Sequence, residues 1–220
     1  MKQMDKRLSA ILGFVPDCRV AADIGTDHGL LGCALLEENR CENVWFTDIS
    51  EKSLEKAKRL VEKKNLAHRA TFFVGDGAQA LPSKPDAAII AGMGGKTICG
   101  ILERGLCKLG ESALVLGANT ELGELRNVLC NNGFAITDEK AVRDGRRFYV
   151  VVAAAPGNMK LKDDELLTGP ILSKKTDEET KDYFIYRRRG VLIALEKAGA
   201  SPNADTEALR KELELWEKLI

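Results

Sequence analysis

Four short segments of this chain gather carboxylates and glycines. Asp23-Ile24-Gly25-Thr26-Asp27-His28-Gly29 is the richest of them. Asp48-Ile49 lies 23 positions beyond Gly25, and Asp76-Gly77 and Ala91-Gly92-Met93-Gly94-Gly95 follow. The first segment reads DxGxDxG rather than GxGxxG. A dinucleotide pyrophosphate needs an uncluttered helix N-terminus and a neutral or basic loop, and Asp23 and Asp27 would repel it. They suit a cationic ligand that carries an ammonium and a sulfonium. Asp48 is spaced to accept two hydrogen bonds from a ribose diol. Asp76 can accept from the exocyclic amine of an adenine, with Gly77 leaving room for the flat ring. Taken singly the segments have blander uses: an Asp-Gly is a turn, Asp48-Ile49-Ser50 can cap a helix, and His28 either caps a helix start or lines the ligand pocket.

The elements that must carry these segments alternate in type. Arg19–Ile24, Asn43–Thr47, Thr71–Val74, Ala87–Ala91 and Ser112–Leu116 read as strands. The run AAIIA at 87–91 is apolar throughout, as a central strand covered on both faces requires. Leu30–Glu38, Glu51–Lys64, Lys96–Leu109 and Thr120–Asn131 read as helices, the second with Leu54, Ala57, Leu60 and Val61 on one face. Thr120 is placed to open an imperfect capping box. Phe134–Val142 and Arg146–Ala154 then follow without a helix between them, joined by the turn signal Asp144-Gly145. The expected architecture is an α/β, Rossmann-like doubly wound sheet closed by a hairpin that contributes one antiparallel strand. That pattern is similar to the class I S-adenosylmethionine methyltransferases, and all four segments, three of them acidic, fall at the carboxyl ends of strands, where such sheets bind ligands. S-adenosylmethionine carries both the ammonium and the sulfonium that the first segment suits.

Composition changes near Ala155-Pro156-Gly157-Asn158, so residues 1–158 are expected to form the sheet domain and 159–220 a helical hairpin. Thr176 with Glu179 three positions on reads as a capping box opening a helix to about Lys197, stopped by Gly199. A second helix is expected from near Asp205 to the C-terminus, with Leu209, Leu213, Trp216 and Ile220 on one stripe. Two helices alone make a poor core, so the hairpin must dock on the sheet or on a partner.

ADIGTDHG, FTDIS, GDGA and IIAGMGG together resemble the TrmK family of tRNA (adenine-N1)-methyltransferases, which modify adenine 22 of bacterial tRNAs. The likeness runs over almost the whole chain, including a helix before the first strand. It implies that Asp23, Gly25, Thr26, Asp27, His28, Gly29, Asp48, Ile49, Asp76, Gly77, Ala91, Gly92 and Met93 hold S-adenosylmethionine. Family members carry a Gln-Pro-Asn type motif after the fifth strand. Here the segment is Leu116-Gly117-Ala118-Asn119, which keeps Asn119 behind a smaller, more flexible pair. A methyl acceptor at adenine N1 has an in-plane lone pair and attacks directly, so no Asn/Asp-Pro-Pro-Tyr motif is needed, and Ala91-Gly92-Met93-Gly94 stands in its place. The catalytic candidates are Asp27 and the Gly92 carbonyl, to answer the charge and proton at N6, and Asn119. With 5% aromatic residues a broad stacking platform is not expected. Phosphate contacts fall to basic clusters: Lys2, Lys6 and Arg7; Arg143, Arg146 and Arg147; Arg187, Arg188 and Arg189.

Composition bounds the reading. Lys+Arg and Asp+Glu are both 33, giving zero net charge, so bulk nucleic-acid binding is not expected but a local basic patch is allowed. No apolar run approaches the roughly 20 residues that cross a bilayer, and the first residues do not read as an export signal. The six cysteines form no CxxC pair and are expected reduced and mostly buried, in a cytoplasmic protein without a metal site. The sequence leaves the oligomeric state open, with a monomer slightly favoured. Other readings remain open: a small-molecule methyltransferase of the same fold, a non-catalytic nucleoside-binding scaffold, and an NAD-dependent oxidoreductase, against which Asp27 argues.

Overall fold

A computed structural model describes residues 5–199 and 206–220. Lys2, Asp205 and the turn joining the last two helices lie outside the described residues. Helix α1 (Lys6–Phe14) precedes β1 (Cys18–Ile24), α2 (Leu30–Glu37), β2 (Cys41–Asp48), α3 (Glu51–Lys63) and β3 (Ala70–Val74). Then come β4 (Ala87–Ala91), α4 (Gly95–Leu109), β5 (Ala113–Ala118) and α5 (Leu122–Asn131). The hairpin β6 (Phe134–Asp144) and β7 (Arg147–Pro156), the short α6 (Asp163–Thr168), α7 (Glu178–Gly199) and α8 (Glu207–Glu217) complete the chain.

The seven strands lie in the order β3-β2-β1-β4-β5-β7-β6. All pairings are parallel except those of β7, which runs antiparallel to both β5 and β6. The winding reverses between β1 and β4, so the ligand crevice of such a sheet falls at their carboxyl ends. The register puts the acidic segments side by side there: Ile24 is level with Thr47 and with Ile90, and Asp48 with Val74.

Alternate strand residues feed two cores. One face packs Ala21, Val44, Phe46, Ile89 and Val151 against α1, α2 and α3, with Phe46 stacked on Phe72 at 5.0 Å. The other packs Ile24, Ile90, Leu116 and Val150 against α4 and α5, and reaches the C-terminal helices through the same cluster. Phe148 of β7 meets Tyr183 of α7 at 5.7 Å, and Tyr183 meets the fully buried Trp216 of α8 edge-on at 6.1 Å. Trp216 is therefore helix packing, and its indole N–H donates to Glu212 at 2.9 Å. Leu209 and Leu213 pack beside it, but Ile220 is 53% exposed and lies off the expected stripe.

The segment that leads into α7 is tied down by an ion pair. Arg126 and Glu139 are both fully buried and meet at 2.8 Å. The Arg126 Nη1 group donates to the carbonyls of Leu166 and Leu167, while the second Glu139 oxygen accepts from the N–H groups of Ile171 and Leu172. Gly169 passes between them at φ +94, and a Cβ there would lie 2.5 Å from Glu139. Only glycine can make that passage without displacing the pair.

Two capping expectations are corrected. Asp177, not Thr176, caps α7: its carboxylate accepts from the N–H and the hydroxyl of Thr180 at 3.0 and 2.8 Å, while Glu179 instead accepts from the Arg143 N–H. Thr120 does not open α5, which starts at Leu122. Its hydroxyl accepts from Gly95 N at 3.3 Å, at the start of α4, where the glycine run offers no side chain of its own. All six cysteines are free: Cys33, Cys41 and Cys99 are buried, Cys18 and Cys130 half-buried, and Cys107 exposed. Full burial thus reaches only three of them.

Candidate active site

The carboxyl ends of β1, β2 and β3 are laced together by backbone bonds. Gly25 and Thr26 both donate to the Thr47 carbonyl, at 2.8 and 3.1 Å, and Gly75 donates to Asp48 O at 3.0 Å. Gly25 turns at φ +74, and a Cβ there would lie 1.9 Å from Met93 Cε. The β1 and β4 loops thus close on each other through a glycine and a flexible methionine.

Asp23 is buried beneath this lacing. Its Oδ2 accepts from the Thr26 hydroxyl at 2.7 Å and from Gly32 N at 3.2 Å. Burial pushes its carboxyl up to about 6, against the pull of those two bonds. Asp48 accepts from Asp27 N at 3.2 Å and from Ser50 N at 2.8 Å, and Ser50, not Asp48, caps α3. Ile49 beside it is 77% exposed, an apolar face at the rim.

Asp27 is held at φ +45, its carboxylate 3.4 Å from Lys56 and 3.4 Å from His28 Nε2. Asp76 is bracketed by Arg104, whose Nε and Nη2 each lie 3.1 Å from a different carboxylate oxygen. Gly77 opens a short helical turn and packs on Ile101, and Gly29 caps α2. Lys56 and Arg104 were not singled out in the sequence. Each lies 28 or 29 positions from its partner, and no local pattern could have paired them.

A cavity of about 340 Å³ opens where β1 and β4 diverge. Asp23, Gly25, Thr26, Asp27, His28, Ala91, Gly92 and Met93 line it, as do Asp5, Arg7 and Leu8 of the first helix and Leu30 and Leu31 of α2. Asp48, Ile49, Asp76 and Gly77 lie beside it on the open β2–β3 side. Arg7 is thus part of this cavity, whereas Lys6 is simply exposed.

A larger groove, about 870 Å³, lies farther along the same sheet edge, between the β5–α5 loop, the β6–β7 hairpin and α7. Asn119, Thr120, Arg143, Arg146, Phe148, Tyr186 and Arg189 are among its walls. Asn119 therefore faces this groove. Of the basic candidates, Arg143, Arg146, Arg147 and Arg189 are exposed. Arg188 pairs with Glu217 at 3.3 Å. Arg187 is largely taken up by packing: its guanidinium sits 4.9 Å over Trp216 and binds Glu212 at 3.2 Å and the Tyr183 hydroxyl at 3.2 Å. Among the described residues no group of three or more His, Cys, Asp or Glu could hold a metal ion, and no helix is long and apolar enough to cross a membrane.

A wound sheet with this strand order and one antiparallel strand before its edge defines a class I methyltransferase fold, here with Asp23, Asp48 and Asp76 along its carboxyl rim. Residues 4–152 match the family model described as a methyltransferase domain. The chain is 32% identical to the tRNA (adenine(22)-N(1))-methyltransferase of Bacillus subtilis, over 79% of this chain and 76% of that one. It belongs to that methyltransferase family. The crystal structure of the B. subtilis M1A22 tRNA methyltransferase TrmK superposes with a TM-score of 0.87 at 28% identity, covering all of both chains. A Streptococcus pneumoniae relative solved in complex with S-adenosyl-L-methionine gives 0.89 at 26% identity, covering 99% of each.

Proposed function

We propose that this protein transfers the methyl group of S-adenosylmethionine to N1 of adenine 22 in tRNA. The observation that carries the reading is the pairing of two concavities on one sheet edge: an acidic cavity fit for a cationic nucleoside, and beside it an arginine- and aromatic-lined groove. The residues present fit the cofactor. Asp48 and Asp76 stand where a diol and an exocyclic amine can donate, Ile49 offers an apolar edge to the ring, and the small cavity takes the amino-acid end. When bound there the cofactor supplies an electrophilic methyl on sulfur.

Gly92 and Asn119 flank the path from groove to cavity, because Ala91 and Gly117 are level across β4 and β5 and adjacent strands lie about 4.8 Å apart. They are the two positions assigned to the target ring: the Gly92 carbonyl accepts from N6, and Asn119 orients the base. Asp27, already beside Lys56 and His28, serves the cofactor end of the site. Holding N1 against the methyl in a near-attack contact supplies roughly 7–11 kcal/mol of the barrier. The base must first leave its stack, and Arg143, Arg146, Arg147 and Arg189 hold the phosphates on either side. Residues 1–158 carry the chemistry and 159–220 complete the groove, in a cytoplasmic enzyme acting where tRNA is pooled.

Labelled cofactor incubated with a tRNA transcript tests the reading. Label should enter A22-containing transcript, map to 1-methyladenosine, and vanish on A22→G. Label entering a small metabolite instead would favour the same fold acting on a small molecule.

A further inference from the structure

Two cysteines meet at the opposite end of the sheet from the acidic cavity. Cys18 opens β1 and Cys41 opens β2, and the register sets them level. Level residues on parallel neighbours project from the same face. Such strands lie about 4.8 Å apart, within the Cα separation that a disulfide bridges. The two sulfurs stand 3.2 Å apart and share a hydrogen bond. The pair is uneven in access and in acidity. Cys18 is half-buried, whereas Cys41 is 1% exposed, within the core that faces α1 to α3. With Cys41 as donor, the shared bond lowers the Cys18 thiol and raises that of Cys41, and burial adds to the second effect. Of the charges around Cys18, Arg40 favours a thiolate, while Asp17 and Asp86 oppose it. Both acids are already engaged: Asp17 pairs with Arg40, and Asp86 accepts from the N–H groups of Arg19 and Val20 at 3.1 and 2.9 Å. The more accessible thiol is thus the more acidic, and behind it stands a second thiol that solvent does not reach. An attacking cysteine beside a resolving one has this form.

We propose that Cys18 and Cys41 are a two-electron redox site, closed by hydroperoxides to a reversible disulfide that braces β1 against β2. The Cys18 thiolate attacks one oxygen of hydrogen peroxide. The O–O bond breaks, the leaving hydroxide takes a proton from the Cys41 thiol to become water, and Cys18 is left as a sulfenic acid. The Cys41 sulfur then attacks the sulfenic sulfur, the S–O bond breaks, and a second water leaves. Two thiols have lost two electrons and two protons, and one peroxide has become two waters. A thiol reductant reopens the bond by exchange. The cysteines are 23 positions apart, so the bond closes a loop that contains the whole Asp23–Gly29 segment and α2. The site itself lies about 20 Å from the cavity, the length of strand β1, and it does not depend on the methyl-transfer reading.

The test treats the reduced, folded, full-length protein with hydrogen peroxide, blocks remaining thiols with N-ethylmaleimide and maps the digest by mass spectrometry. A linked Cys18–Cys41 peptide should appear, lighter by two hydrogens than its two reduced parts, and dithiothreitol should abolish it. The oxidised protein should melt about 5–10 °C higher than the reduced one. In Cys41→Ala the reaction should stop at a Cys18 sulfenic acid, which dimedone traps, and the melting shift should vanish. Cys18→Ala should leave Cys41 unmodified by peroxide in the folded protein. If either variant fails to fold, the linked peptide and the melting shift of the unaltered protein still decide the matter. The proposal is overturned if peroxide oxidises the exposed Cys107 while Cys18 and Cys41 stay reduced, or if the link forms only in urea. It is equally overturned if Cys18 goes to a sulfinic acid or to another partner, or if the link leaves the melting temperature unchanged.

Discussion

The two concavities on the sheet edge are built in opposite ways. The small acidic one draws most of its walls from two strand-end loops, Asp23–Gly29, tied by backbone bonds to the end of β2, and Ala91–Met93, closed on it through Met93 at Gly25. The large basic one draws on the β5–α5 loop, the tip of a hairpin and a helix some 70 residues from that loop, held together by side-chain packing. The first is rigid because the sheet is rigid. The second depends on how firmly α7 docks, and that docking rests on the Phe148–Tyr183–Trp216 seam and on the buried Arg126–Glu139 pair. On the proposed reading the cofactor sits on the sheet's own loops, and the tRNA in a groove that the C-terminal helices complete.

The sharpest way to break the contrast is to release that docking. Arg126→Met removes one partner of a fully buried ion pair and strands the Glu139 charge, which costs about 3–5 kcal/mol. The loss should show in a denaturant midpoint. Hydrogen exchange should rise first across 163–199, while the amides around Gly25 and Asp48 stay protected. Uniform acceleration over the whole sheet would mean that the groove is no softer than the cavity.

Next in size is a change confined to the groove. Arg143→Glu, Arg146→Glu and Arg189→Glu together should weaken tRNA binding roughly a hundredfold at low salt and make its salt dependence shallower by about two to three units of slope. S-adenosylhomocysteine affinity should stay within about twofold. Arg187 is left out of this set because its guanidinium is spent on Trp216 and Glu212. An unaltered tRNA affinity would move the RNA interface elsewhere.

The two regions also differ in how far the sequence shows them. Strand-end carboxylates follow the period of the βα unit, so Asp23, Asp48 and Asp76 can be placed on one edge from spacing, and AAIIA marks the central strand beside them. The β6–β7 pairing was likewise visible in the missing helix and the Asp-Gly turn. What spacing cannot show is which charges already have a neighbour of opposite sign. Asp76 is bracketed by Arg104, Asp27 stands beside Lys56, and Arg187 covers Trp216, each through contacts 25 or more positions apart. Arg7 is the same problem inverted: three basic residues near a chain start read as an RNA contact, and only the packing of α1 across the β4 loop turns one of them inward. Thr120 shows the local form of the error, since a capping residue caps whichever helix start is nearest in space, here α4 rather than α5.

The smallest expected effect concerns Asp23, and it separates a charge the cavity uses from one it merely contains. Burial raises this carboxyl to about 6 from the usual 3.8. Between about pH 4 and 6 the folded protein then holds a proton that the unfolded chain has released, so on this account stability falls as pH rises through that window and is level above it. Two pKa units correspond to roughly 3 kcal/mol at most. A cationic ligand favours the ionised form, so cofactor binding expels the proton. Affinity for S-adenosylhomocysteine should therefore weaken by about tenfold between pH 7 and pH 5. In Asp23→Asn both slopes should flatten, and the comparison of the two proteins isolates this one carboxyl. If the two proteins gave parallel affinity profiles, Asp23 would be a brace for Thr26 and Gly32 alone, and the ammonium would have to be met by Asp27 or Asp5 at the mouth.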